Sequence, residues 1–172
     1  SSITDSFTTA AGSDTEGDGT VQKPFRSVGK ALSLMTAGDT LFIDAGTFAE
    51  TVELTLNNLT LVGKDSNATV IDPPSTDTGI RASNLTGLSI RTLGVSGARW
   101  GIYFTNVDQS VISGDSVSEV SNEGIYLAGG SDTNSGLKGG AKTGDAGSFV
   151  GAAGNASGNG GAAGAAGAAG AG

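Results

Sequence analysis

The chain has 172 residues and a formal net charge of −8, from 9 Lys and Arg against 17 Asp and Glu. It contains no Cys and no His, which excludes disulfides, thiol redox chemistry and thiolate or imidazole metal sites. The acidic balance without a basic stripe excludes nucleic acid as a partner and docking on an anionic membrane, and no apolar run reaches membrane-spanning length.

Residues 1–22 are rich in Ser, Thr, Gly and Asp and read as an acidic loop. "SSITDS" has neither the basic nor the apolar region of a signal peptide and looks like a processed or cloned start. Further on, "DTEGDG" sets Asp14, Glu16 and Asp18 at alternate positions before a Gly. Alternating oxygen ligands of this kind open a Ca2+ loop. The bidentate Glu that such a loop needs further on is missing, so an acidic turn is the plainer reading. No cofactor is required, and Ca2+ is the one candidate. Residues 24–36 are predicted as one amphipathic helix. Pro24 suits the first helical position, Phe25, Val28, Leu32 and Met35 recur at helical spacing, and Gly38 supplies the stop.

From residue 40 onward the pattern is β. "TLFIDAG" and "TVELTL" alternate, with Leu41/Ile43 and Val52/Leu54/Leu56 on one side. The chain then repeats. "GIRASN", "GIYFTN" and "GIYLAG" begin at residues 79, 101 and 124, and "LNNLTL", "LTGLSI" and "VDQSVI" begin at 56, 85 and 107. The spacing is 22 or 23 residues except for one step of 29, so about seven extra residues belong near "DSNATVIDPPST". A 22-residue period of short β-runs broken by Gly, Asn, Ser and Asp fits one coil of a parallel β-helix. The register predicts interior ladders Ile80/Ile102/Ile125 and Ala82/Phe104/Leu127, joined by Leu85/Val107, Ile90/Ile112 and Val95/Val117. Asn84 and Asn106 fall at equivalent corners. The expected fold is all-β: a short parallel β-helix of about three to four coils over 23–128, closed at its N-terminal end by the helix at 24–36.

Residues 129–172 turn to Gly and Ala and hold one Leu, one Phe and one Val. They supply no core and read as a low-complexity tail or stalk; "GGSDTNSG" at 129–136 echoes the acidic loop chemistry.

Residues 12–63, with "GSDTEGDGT", "KPFRSVGKAL", "GDTLFIDAGTFAETVEL" and "LTLVG", resemble the N-terminal segment of the pectin-lyase-like, right-handed parallel β-helix superfamily. The resemblance implies that the helix caps the barrel and that Gly38-Asp39-Thr40 leads into the first strand. It implies little about activity, because the same cap introduces lyases, esterases and surface proteins. A lyase would need acidic residues holding Ca2+ and a basic residue to take a proton. The acids Asp108, Asp115, Glu119 and Glu123 read as a scattered, solvated exterior, and no three share a ladder position. Arg81, Tyr103 and Tyr126 are expected in one outward column beside Trp100, the only Trp. This group could stack on a glycan or pack on a loop or a partner. The expectation is a non-catalytic extracellular, cell-surface module of the surface-layer, filament or adhesin type that self-associates. Its alternatives are a fragment of a Ca2+-dependent polysaccharide lyase and a carbohydrate-binding module.

Overall fold

The spacing of the three "GI" segments is the register of one parallel sheet. Ile102 pairs with Ile80 on one side and Ile125 on the other, and Phe104 pairs with Ala82 and Leu127. The computed structural model describes residues 5–128 and Ser148–Gly151. The strand β1 (Asp5–Thr8) and the helix α1 (Val28–Leu32) come first. Four coils of three strands follow. They are β2 (Thr40–Ile43), β3 (Gly46–Phe48) and β4 (Val52–Leu54); β5 (Thr60–Gly63), β6 (Thr69–Ile71) and β7 (Thr78–Ser83); β8 (Ser89–Arg91), β9 (Gly94–Val95) and β10 (Trp100–Thr105); and β11 (Val111–Ser113), β12 (Ser116–Val117) and β13 (Glu123–Ala128). The last described strand is β14 (Ser148–Gly151). Each coil gives one strand to each of three sheets, in the orders β1-β2-β5-β8-β11, β3-β6-β9-β12 and β4-β7-β10-β13-β14.

Alternate residues point inward, so register pairing stacks like on like. The first sheet buries the ladder Leu41–Leu61–Ile90–Ile112. The second buries Phe48–Ile71–Val95–Val117. The third buries Val52–Ile80–Ile102–Ile125 and Leu54–Ala82–Phe104–Leu127. Burying each large member stabilises the fold by roughly 1.5–3 kcal/mol, and every ladder of the sequence reading is present. Of the joining pair, Val107 is buried and Leu85 half-buried. The Gly that opens each repeat has a packing reason. A Cβ on Gly79 would lie 2.3 Å from Val95 Cγ1, and one on Gly101 2.4 Å from Val117 Cγ1. At the next corner Asn84 and Asn106 both adopt positive φ, and Asn106 Nδ2 donates to Asn84 Oδ1 at 3.3 Å.

The seven extra residues are split between two corners. The register offset is 29 between Thr60 and Ser89, 24 between Val70 and Gly94, and 22 between Thr78 and Trp100. Five residues are therefore added between β5 and β6, and two between β6 and β7, where Pro73 and Pro74 lie.

Three expectations are corrected. The helix covers Val28–Leu32 rather than 24–36. Pro24 and Phe25 lie outside it: Pro24 O accepts from Ser13 N, and Phe25 forms a parallel bridge with Thr8. Ser27 is the N-cap, its hydroxyl accepting from Lys30 N. Beyond Leu32 the bonds Leu34 N to Ala31 O and Met35 N to Leu32 O span three residues, which tightens the chain into turns. Phe25, Val28 and Met35 are still buried and Leu32 partly so, so the segment caps the core although only its middle is helical. Second, residues 1–22 are not all loop, because β1 pairs in parallel with β2. Its inward residues are Ser6 and Thr8. Third, the segment 129–172 includes β14, which pairs in parallel with β13. The chain's own strand thus covers that edge. "GGSDTNSG" lies outside the described residues.

Candidate binding face

The outward positions of the third sheet gather the residues that the sequence singled out. On β7 the buried Ile80 and Ala82 flank Arg81, which must therefore point out; Tyr103 and Tyr126 are its register partners on β10 and β13. Glu53 on β4 completes the column below Arg81. The Tyr103 and Tyr126 rings stack with centroids 4.7 Å apart and planes 8° from parallel, a separation set by the strand spacing. Trp100 tilts against Tyr103 at 5.5 Å. Its Nε1 donates to Glu123 Oε2 at 2.8 Å, and the Arg99 guanidinium lies 4.2 Å from the ring centroid. Arg81 Nη2 donates to Glu53 Oε2 at 2.9 Å. That hydrogen bond raises the pKa of the guanidinium above its ordinary value. Beside this column Thr105 Oγ1 and Ser83 Oγ lie 3.0 Å apart.

The four predicted residues Arg81, Trp100, Tyr103 and Tyr126 are therefore brought onto one face. Sequence reasoning missed Glu53 and treated Glu123 as scattered. Alternation in "TVELTL" shows that Glu53 points out. Its pairing with Arg81 follows only once the 28-residue offset is known.

The acidic residues near the N-terminus are not brought together in the same way. Burial pushes the Asp14 carboxyl up, but hydrogen bonds from Ser27 N, Ser27 Oγ and Arg26 N outweigh it and hold it below the usual range. Asp14 thus fixes the chain entering α1. Asp18 is lowered by Thr20, whose hydroxyl and N–H both donate to its Oδ1. Glu16 is exposed. Among the described residues, no three acidic side chains converge as a metal site.

Asp115, read from sequence as exterior, is buried, with 4% exposure. It sits at the corner between β11 and β12, where the preceding coil carries the buried Leu93. Its Oδ1 accepts from Leu93 N at 2.7 Å and its Oδ2 from Ser113 N at 3.0 Å. Burial outweighs both bonds and pushes its pKa up to about 6.

A second surface feature lies on the first sheet. Phe7, Phe42 and Val62 are successive outward residues. With Val21 and Pro24 they line a trough of about 390 Å³, whose lining also includes Lys64 and Asp44, ion-paired through Nζ and Oδ1 at 2.8 Å.

The coil architecture can be compared directly with solved structures. A pectin methylesterase solved in complex with a hexasaccharide superposes with a TM-score of 0.55 at 15% identity, over 78% of this chain and 49% of that one. The shared architecture is a right-handed parallel β-helix. The pectin methylesterase PemA from Erwinia chrysanthemi matches this β-helix with a TM-score of 0.52 at 18% identity, again over 78% and 49%. The β-helix thus spans about half the length of the pectin methylesterases it matches, and the likeness is one of fold. Residues 10–68, which take in the cap, the first coil and the first strand of the second, match the family model described as "Protein of unknown function (DUF1565)". No curated protein matches the β-helix in sequence.

Proposed function

We propose that this β-helix is a non-catalytic, extracellular structural or adhesive module that self-associates or packs on a neighbouring subunit. The observation that carries the reading is the state of the third sheet's outer face. Its acids, bases and rings are already engaged with one another: Glu53 with Arg81, Glu123 with Trp100, Arg99 over Trp100, and Tyr103 on Tyr126. A general acid–base site needs a group free to reach a substrate proton; this face is organised instead as a stiff, internally paired surface. Pectin, on which the solved fold relatives act, is an extracellular polymer, which supports an extracellular setting. Among the described residues no helix is long and apolar enough to cross a membrane.

The test has two arms. Methanol release from methyl-esterified pectin, and unsaturated product from pectate or alginate with Ca2+ present, should both stay at the level of buffer. Turnover in either assay overturns the non-catalytic reading in favour of an esterase or a Ca2+-dependent lyase. Light scattering over a range of concentrations should show mass growth, and a strict monomer at millimolar concentration refutes self-association. A second reading is favoured by the contiguity of Trp100, Tyr103 and Tyr126: a carbohydrate-binding surface without turnover. Trp100→Ala should then abolish glycan binding while the unfolding midpoint holds; unchanged glycan binding would dismiss it.

A further inference from the structure

Three N-x-S/T tripeptides lie among the described residues, at Asn58, Asn67 and Asn84, and a fourth, at Asn155, lies outside them. Such a tripeptide is an acceptor for an N-linked glycan. Chains rich in Asn, Ser and Thr generate it by chance, so the surroundings of each Asn decide. Asn84 is spent on its corner: its Nδ2 donates to Ser83 Oγ at 3.1 Å and its Oδ1 accepts from Asn106 Nδ2 at 3.3 Å. Asn58 has a φ of 58°, and its Oδ1 lies so close to Gly87 that a Cβ added there would be 2.2 Å from it. Asn67 is exposed, and its side-chain amide has no hydrogen bond among the described residues. Only its backbone N–H is bound, donating to Asp65 Oδ1 at 2.8 Å.

Its place in the fold is also singular. The corner from the first sheet to the second is turned by residues 44–45, 92–93 and 114–115 in three coils, and by 64–68 in the second coil. Asp65 shapes this longer loop, its O accepting from Ala68 N at 3.0 Å and Thr69 N at 2.7 Å. The third sheet has no part in this corner, so a glycan on Asn67 leaves the face of Tyr103 and Tyr126 clear. The hydroxyl of the same tripeptide points the other way. Thr69 is fully buried, and its Oγ1 accepts from Lys64 N at 3.1 Å and donates to Asp44 O at 3.2 Å. The hydroxyl that defines the acceptor is therefore out of an enzyme's reach once β6 is in place, while the Asn67 amide stays open.

We propose that Asn67 is an N-glycosylation site, modified before the second coil closes. An oligosaccharyltransferase moves the glycan from a polyprenyl-phosphate carrier. The bond from the anomeric carbon to the phosphate oxygen breaks, a bond to Asn67 Nδ2 forms, Nδ2 gives up one proton to solvent, and the polyprenyl phosphate leaves as its anion. The inference rests on the extracellular setting proposed above, because this transfer takes place on secreted chains. The full chain, translated behind a cleavable secretion signal in a cell-free extract with endoplasmic-reticulum microsomes, tests it. Trypsin cleavage after Lys30, Lys64, Arg81 and Arg91 puts Asn58, Asn67 and Asn84 on separate peptides. In protein that resists limited proteolysis, and is thus folded, peptide 65–81 should carry the glycan, and peptides 31–64 and 82–91 should not. Asn67→Gln should remove the glycan without moving the unfolding midpoint, because the amide it replaces is exposed and unbonded. Purified, already folded chain given the same transferase and donor should stay unmodified. The proposal is overturned if peptide 65–81 is bare in the folded fraction, if either other peptide carries as much glycan, or if the prefolded chain is modified equally well. Because the secretion signal is supplied, these outcomes bear on the acceptor and not on the extracellular setting.

Discussion

Asp115→Asn isolates the cost of one buried charge. The Asp115 carboxyl titrates at about 6 in the fold against 3.8 in the unfolded chain. Between these two values the native state holds more protons than the unfolded state. Stability therefore falls as pH rises from about 3.8 to about 6, and is level on either side. The shift of roughly two units corresponds to about 3 kcal/mol at 1.36 kcal/mol per unit, and the group is buried enough that solvent screening reduces this little. Asparagine removes the charge but has one acceptor oxygen where aspartate has two. One of the N–H groups of Leu93 and Ser113 then loses its partner, at about 1–3 kcal/mol. At neutral pH the two effects nearly cancel, so the variant should be about as stable as the parent. The decisive quantity is the slope. Urea unfolding followed by Trp100 fluorescence from pH 4 to 7.5 should show the parent losing stability across the window and the variant not. Asp14, Asp18, Asp44 and Asp77 have lowered pKa values. Their contributions are present above the unfolded value of 3.8 and are lost below it, so they fall outside the window. Identical slopes in parent and variant, or a parent whose stability rises with pH from 4 to 6, would refute the reasoning.

Ile102→Ala removes the middle of the Val52–Ile80–Ile102–Ile125 ladder, where neighbours on both sides are held by strand pairing. It should cost about 2–5 kcal/mol in chemical denaturation. Gly101→Ala would place a Cβ 2.3 Å from Gly124 O and 2.4 Å from Val117 Cγ1, whereas the same change at Gly124 finds its nearest contact at 3.6 Å. Thermal unfolding should therefore rank Gly101→Ala as the more damaging, by about 1–3 kcal/mol. Glu50 accepts from Val28 N and Gly29 N with its two oxygens, both at 2.8 Å. Glu50→Ala should cost about 1–3 kcal/mol and raise amide exchange at Val28 and Gly29. Arg81→Ala breaks an exposed ion pair instead and should shift the denaturation midpoint by less than about 1 kcal/mol.

Much of the fold was legible because a β-helix writes its contacts at a constant sequence interval. Ile80, Ile102 and Ile125 reveal the period and the interior face together, since each is both a repeat marker and a core residue. The same holds for the Asn84–Asn106 corner. What escaped the reading used residues in roles that their type does not advertise. Strand β1 was hidden because its inward side chains, Ser6 and Thr8, are polar, so the alternation of "DSFT" shows no apolar stripe. The helix was overextended because helical spacing of Phe25, Val28, Leu32 and Met35 is also satisfied by a short helix flanked by a bridge and turns, all facing one core. Asp115 was assigned to the surface because it is charged, yet it occupies the corner that carries Leu93 one coil earlier. The aromatic column was found and its partners were not: Glu53 and Glu123 gain meaning only from register, which joins residues 23 or 28 positions apart. The trough was missed because Phe7 and Phe42 lie 35 residues apart and point away from the core.

The divided insertion in the second coil shows how such a chain can be altered. Five residues are added at one corner and two at another, and the ladders on either side remain in register. Lengthening a surface loop costs only about 0.6 kcal/mol per doubling, far less than the loss of a single buried rung. Residues 64–68 and 72–77 are therefore natural grafting points, where foreign peptides could be displayed at fixed heights along a rigid axis while the stack beneath keeps its spacing.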